Sequence, residues 1–233
     1  MIVDGSPTIR RRRAVRCAAF ITLLIFTTFP MQPMNAYQTS LDSRTIDEAY
    51  VLGQRNDKTT ADFVAAYISQ VTQEGLDGVH RADIELLTPF LQIVDRSKDN
   101  SQGYSLARAV ADYRASGDVV ILRITLVLPS NYPTPGPQGA SAPSCDNTAL
   151  QPQNFWQNFL FIVKQRGKAL RPSSAKNEPI YSAPTKDAPA NLDGATVLLE
   201  FDAHVLASEP LDVSIVTPHC KTISAVFDLA ALR

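Results

Sequence analysis

Residues 119–128 read VVILRITLVL, and their period is two. Val120, Leu122, Ile124, Leu126 and Leu128 fall on one side, with Val119, Ile121, Arg123, Thr125 and Val127 on the other. A helix would scatter these positions around its circumference, whereas a strand sorts them into two faces. NFLFIVKQR (158–166), ATVLLEFDAHVL (195–206), LDVSIVT (211–217) and KTISAVFDL (221–229) behave in the same way. Only PHC separates the last two, which predicts an antiparallel hairpin. Together these segments point to an antiparallel sheet or sandwich of about five to six strands.

Before Gly117 the period is helical. Asp42 or Ser43 is placed to cap a helix carrying Ile46, Ala49 and Tyr50, ending near Gly53. Thr59, with Asp62 three residues on, opens a second, with Phe63, Tyr67, Ile68 and Val71 on one face and Gly75 as its stop. Thr88 as N-cap and Pro89 at the first helical position start a third, after a short strand through 84–87. Ser105 starts the fourth, with Leu106, Ala109, Val110 and Tyr113 as its apolar stripe. The expected class is therefore α+β: a helical N-terminal region at 37–117, packed with an antiparallel β region at 118–233. Two long Pro-rich loops, 129–154 and 167–194, interrupt the β region and are the natural place for a binding surface, against the reading of surface insertions with no task.

Residues 1–36 read as a signal peptide. Arg10 to Arg13 and Arg16 precede an uncharged apolar run, Cys17 to Phe29, and Pro30 breaks it. Met34 and Ala36 then occupy the −3 and −1 positions of a cleavage site. A retained anchor would need about 20 apolar residues, more than this run holds, so no stable membrane span is expected after cleavage. The expected location is periplasmic or secreted. The segment carries five arginines and one acid, so its loss takes the net charge from −1 to −5. An acidic mature chain offers no electrostatic footprint for nucleic acid and no polybasic surface for lipid.

Export also governs the cysteines. Cys17 leaves with the signal, and Cys145 and Cys220 remain. Two cysteines in an oxidising compartment are expected to pair, with free thiols or an intermolecular bond as the alternatives. The loop they close gives a chain-entropy stabilisation of roughly 4 kcal/mol. Cys220 follows His219 at the predicted hairpin tip, where the pair would be poorly supported as catalytic groups.

Chemistry is thinly marked elsewhere. His80, His204 and His219 are isolated, and HExxH, CxxC and calcium-loop patterns are missing, so no metal is expected. GxSxG, SxxK, GxGxxG and Walker patterns are missing too, and no cofactor is expected. The nearest catalytic candidates are Glu200, Asp202 and His204, which share one face of a strand by period two. Glu200 and His204 would stand about 13 Å apart along it, and a solvated polar face explains all three. Asp83 with Glu85, or Glu200 with Asp202, are the acids available for glycoside chemistry. NFWQNFLF sets Phe155, Trp156, Phe159 and Phe161 beside the first loop, which holds Tyr132. Phe155, Trp156 and Tyr132 are the candidate ligand platform, against the reading of a strand entering a core.

With LTPF (87–90), YSLARAVADYRA (104–115) and AVFDLAALR (225–233), the chain resembles an uncharacterised group of secreted bacterial proteins with no assigned function. That resemblance implies export and a mixed α and β architecture, and adds no site. The function expected is an exported, non-catalytic interaction or ligand-binding module for an unknown protein or glycan of the envelope or extracellular space. Its rivals are a hydrolase of an extracytoplasmic glycan or peptide, and an envelope structural or stress protein without a discrete ligand.

Overall fold

Local capping chemistry builds the helices. The computed structural model describes residues 37–76, 79–100, 102–128, 154–183, 191–218 and 220–233, all within the unit Pro33–Arg233. Asp42 Oδ1 accepts the Thr45 N–H at 2.7 Å and opens α1, Ser43–Arg55. Asp57 does the same at Thr60 for α2, Lys58–Ala65. Thr88 Oγ1 accepts the Leu91 N–H at 3.2 Å, and Pro89 begins α3, Pro89–Asp99. Ser105 caps α4, Leu106–Ser116, which ends at Gly117 with φ 71°.

The second helix departs from expectation. It stops at Ala65, and Ile68–Leu76 is a strand, β1. Phe63, Tyr67, Ile68 and Val71 imitate a helical face, but Ile68, Val71 and Thr72 are β-branched and pair with Glu85, Ala82 and Arg81 of β2, Val79–Leu87. The short strand expected at 84–87 is the end of that nine-residue β2.

The remaining strands are β3, Val119–Val127; β4, Leu160–Gln165; β5, Lys168–Leu170; β6, Ser174–Tyr181; β7, Leu192–Asp202; β8, Pro210–Val216; and β9, Thr222–Asp228. They form a five-stranded sheet, β1-β2-β3-β7-β6, and a four-stranded one, β5-β4-β8-β9, with antiparallel pairing throughout. The α+β class stands, with more strands than expected. The helices do not make up a separate N-terminal half, because β1 and β2 come from that region and β2 pairs with β3 from Arg81–Val127 to Leu87–Ile121. The expected loop at 167–194 holds β5, β6 and the start of β7. Most side chains of β6 are exposed on both faces, so it shows no alternation to read. The other loop, with Tyr132 and Cys145, lies outside the described residues from 129 to 153.

Period two sets the core. Ile84, Leu86, Leu122, Ile124, Val197 and Phe201 of the first sheet and Val213, Ile215, Ile223 and Phe227 of the second belong to one buried cluster. Two glycines permit close approaches within it. A Cβ on Gly53 would stand 2.4 Å from the Val94 carbonyl oxygen, so α1 lies directly on α3. One on Gly194 would stand 2.2 Å from the Leu126 carbonyl oxygen, beside the register shift between Ile180 and Tyr181.

Candidate ligand-binding site

The catalytic candidates separate. Glu200 and Asp202 do share the outer face of β7, opposite Ile121 and Val119 of β3. The strand ends there, and a 3-10 turn, Ala203–Val205, carries His204 away from it. The strand-face placement of His204 is therefore corrected: Asp202 Oδ1 accepts the His204 backbone N–H at 2.9 Å and caps that turn. Glu200 instead meets Lys176 Nζ of β6 at 2.8 Å, and this bond raises the ammonium pKa.

His204 finds its partner elsewhere. Its Nε2 lies 3.2 Å from Oδ2 of Asp118, between α4 and β3, and the imidazole is 57% exposed. Asp118 also accepts a hydrogen bond from the Tyr113 hydroxyl, and its carbonyl accepts the Ala203 N–H at 2.9 Å. Tyr37 donates to the Ala203 carbonyl at 3.1 Å, and burial, helped by the charges of Asp118 and Asp202, raises its hydroxyl pKa. These bonds tie the end of β7 to α4, which is structural work.

The other acids lie on the outer face of β2. Glu85 receives Arg123 Nε at 2.6 Å, and Arg123 reaches Asp95 of α3 at 3.4 Å. Asp83 pairs with Arg81 at 3.0 Å through Oδ2, and its buried Oδ1 accepts no hydrogen bond among the described residues. Among the described residues no three His, Cys, Asp or Glu side chains gather closely enough for a metal ion.

The aromatic candidates are inside. Phe155 is 0% and Trp156 6% exposed, in a 3-10 turn ahead of β4. Phe155 meets Trp156 edge-on at 5.6 Å and Phe159 at 6.1 Å. A sugar platform presents an open ring face, and these rings face the core and one another. Cys220 takes φ 59° in the turn before β9. Thr217 and Cys220 close that turn with a backbone bond of 2.9 Å, while His219 lies outside the described residues.

Among the described residues, concave space occurs at positions that sequence reasoning did not single out for function. Two grooves meet at Arg96 and Asn100, at the C-terminal end of α3. The smaller, about 240 Å³, is lined further by Leu87, Gln92, Asp95, Asp99, Ile121 and Arg123. The larger, about 480 Å³, takes Gln102, Gly103, Tyr104, Arg108 and Asp112 from the loop and α4. Helical spacing places these groups: Asn100 donates its backbone N–H and Nδ2 to the Arg96 carbonyl, and Arg108 meets Asp112 one turn on at 2.9 Å. The Tyr104 hydroxyl donates to Asp112 at 3.1 Å, and burial first, then Asp112, raises its pKa. Arg96 is held loosely, 3.9 Å from Asp112, 3.3 Å from the Ser116 hydroxyl and beside the Tyr104 hydroxyl, whose rise in pKa it partly offsets. The one sequence signal was the four-residue spacing of Arg108 and Asp112.

Fold and site together define an α+β chain with two antiparallel sheets and a polar double groove beside its helices. Compared with known proteins, it matches no family model, no curated protein and no solved structure. No helix among the described residues is long and apolar enough to cross a membrane.

Proposed function

We propose that this chain is an exported, non-catalytic ligand-binding module, periplasmic or secreted once residues 1–36 are removed and stapled by a Cys145–Cys220 disulfide. Its ligand is a protein or glycan of the envelope or extracellular space. One observation carries the reading. Glu200 pairs with Lys176, Asp202 caps the His204 backbone and the His204 imidazole turns to Asp118, whereas loosely held Arg96 faces two grooves. A hydrolase needs its acid and base to converge on one reacting atom. A binding site needs concave space and a few placed polar groups.

The test uses native protein and the mature chain from residue 37. Mass spectrometry of native material should find a new amino terminus near Tyr37 and no alkylatable thiol before reduction. The mature chain should bind envelope polysaccharide or protein fractions and leave them uncleaved. Cleavage of a glycan or peptide that disappears in His204→Ala would instead establish the hydrolase. An intact Met1 in native material would remove export.

A further inference from the structure

We infer that the groove between α3 and α4 is a binding site for a carboxylate-bearing sugar, with Arg96 as the group that receives the carboxylate. This assignment rests on the binding-module reading and gives it a location and a ligand class.

Three properties of the groove select that ligand. Its volume, about 480 Å³, suits a small ligand. Its lining from Arg96, Asn100, Gln102, Arg108 and Asp112 is planar and polar, and it includes no aliphatic side chain. Guanidinium, amide and carboxylate groups each present two hydrogen-bonding atoms side by side, which matches the neighbouring hydroxyls of a sugar ring. Extended peptides are recognised through apolar pockets or a free strand edge, and this groove is built from helix and loop. Tyr104 adds the one aromatic ring, and Gly103, at φ 99°, leaves open space where a side chain would stand.

Charge then distinguishes an acidic sugar from a neutral one. The lining carries two arginines against Asp112. Arg108 already has Asp112 at 2.9 Å, while Arg96 lies 3.9 Å from the same carboxylate. Arg96 therefore keeps the capacity for a bidentate bond to a ligand carboxylate. The smaller groove shares Arg96 and Asn100, adds Leu87 and Ile121 as a surface for the C–H face of an adjoining ring, and sets Asp95 and Asp99 against Arg123, so the ligand carboxylate belongs in the larger groove.

Isothermal titration of the mature chain at low salt tests the assignment, with oligogalacturonate, sialyllactose and N-acetylmuramic acid as acidic probes. Cellotetraose, inorganic phosphate and an acidic peptide are the controls. At least one acidic sugar should bind, more weakly as salt rises. Arg96→Gln should weaken it about tenfold or more with an unchanged circular dichroism spectrum, and Arg96→Lys should restore only part. Amide shifts in NMR should map to residues 96–112. Equal binding by Arg96→Gln, no binding of any acidic probe, or equal binding of a control would overturn the site. Failure of every envelope fraction to bind would remove the module reading itself, and an envelope ligand indifferent to Arg96→Gln would remove only this assignment.

Discussion

Gly53 of α1 and Ser97 of α3 meet so closely that a Cβ on residue 53 would stand 2.5 Å from that of Ser97. Helix propensity alone would favour alanine there by about 1 kcal/mol. The Val94 carbonyl on the other side is backbone and cannot step aside without moving α3. Gly53→Ala should therefore lower stability by about 1–3 kcal/mol, seen as a lower urea midpoint at unchanged slope. A higher midpoint would mean that the two helices separate freely.

Tyr67 should make the protein sensitive to alkali. Its hydroxyl donates to the Arg233 carbonyl at 3.0 Å and accepts the Arg233 N–H at 2.8 Å, and burial pushes its pKa up to about 12. An unfolded tyrosine titrates near 10, so the folded state holds this proton more tightly. The stability it contributes is complete below pH about 10 and is lost as pH rises towards 12. Melting temperature should fall across that window, and Tyr67→Phe should start lower and decline less steeply. An identical slope in the variant would place the titrating group elsewhere.

Trp156 is the only tryptophan, so fluorescence reports its surroundings directly. Its 6% exposure predicts blue-shifted emission that acrylamide scarcely quenches until the protein unfolds. Red-shifted, readily quenched emission from the native state would return the ring to the surface and revive the platform.

Asp118 and His204 should differ in what their loss costs. The His204 imidazole is exposed, so His204→Ala should cost at most about 1 kcal/mol. Asp118→Ala also leaves the Tyr113 O–H without its acceptor, although the oxygen still accepts the Leu41 N–H, and about 1–3 kcal/mol is expected. Thermal melts of the two variants and their double mutant read the difference. Equal costs would mean that Tyr113 contributes nothing through Asp118.

The parts of this fold that were legible in the sequence are those decided within a few residues. The caps at Asp42, Thr88 and Ser105 bind backbone three positions on, and β3, β8 and β9 alternate because one face of each is buried. β1 was hidden by the helix-like spacing of Phe63, Tyr67 and Val71, and β6 by exposure on both faces. His204 leaves the strand pattern because Asp202, two residues earlier, caps a 3-10 turn that period two does not reveal. Arg108 and Asp112 are neighbours on α4, but Arg96 joins them only when α3 and α4 pack, and no local pattern reports a meeting between helices.

In the middle of the larger sheet, Val119 pairs with Asp202 and Val127 with Gly194. A nascent chain halted between those segments holds β1, β2 and β3 but not the strand that completes their far side. Translation must pass residue 202 before the central ladder can zip, so closure waits on the slow search for a distant partner. Under the export proposed for this chain, that delay would keep the polypeptide loose enough to thread a translocation pore.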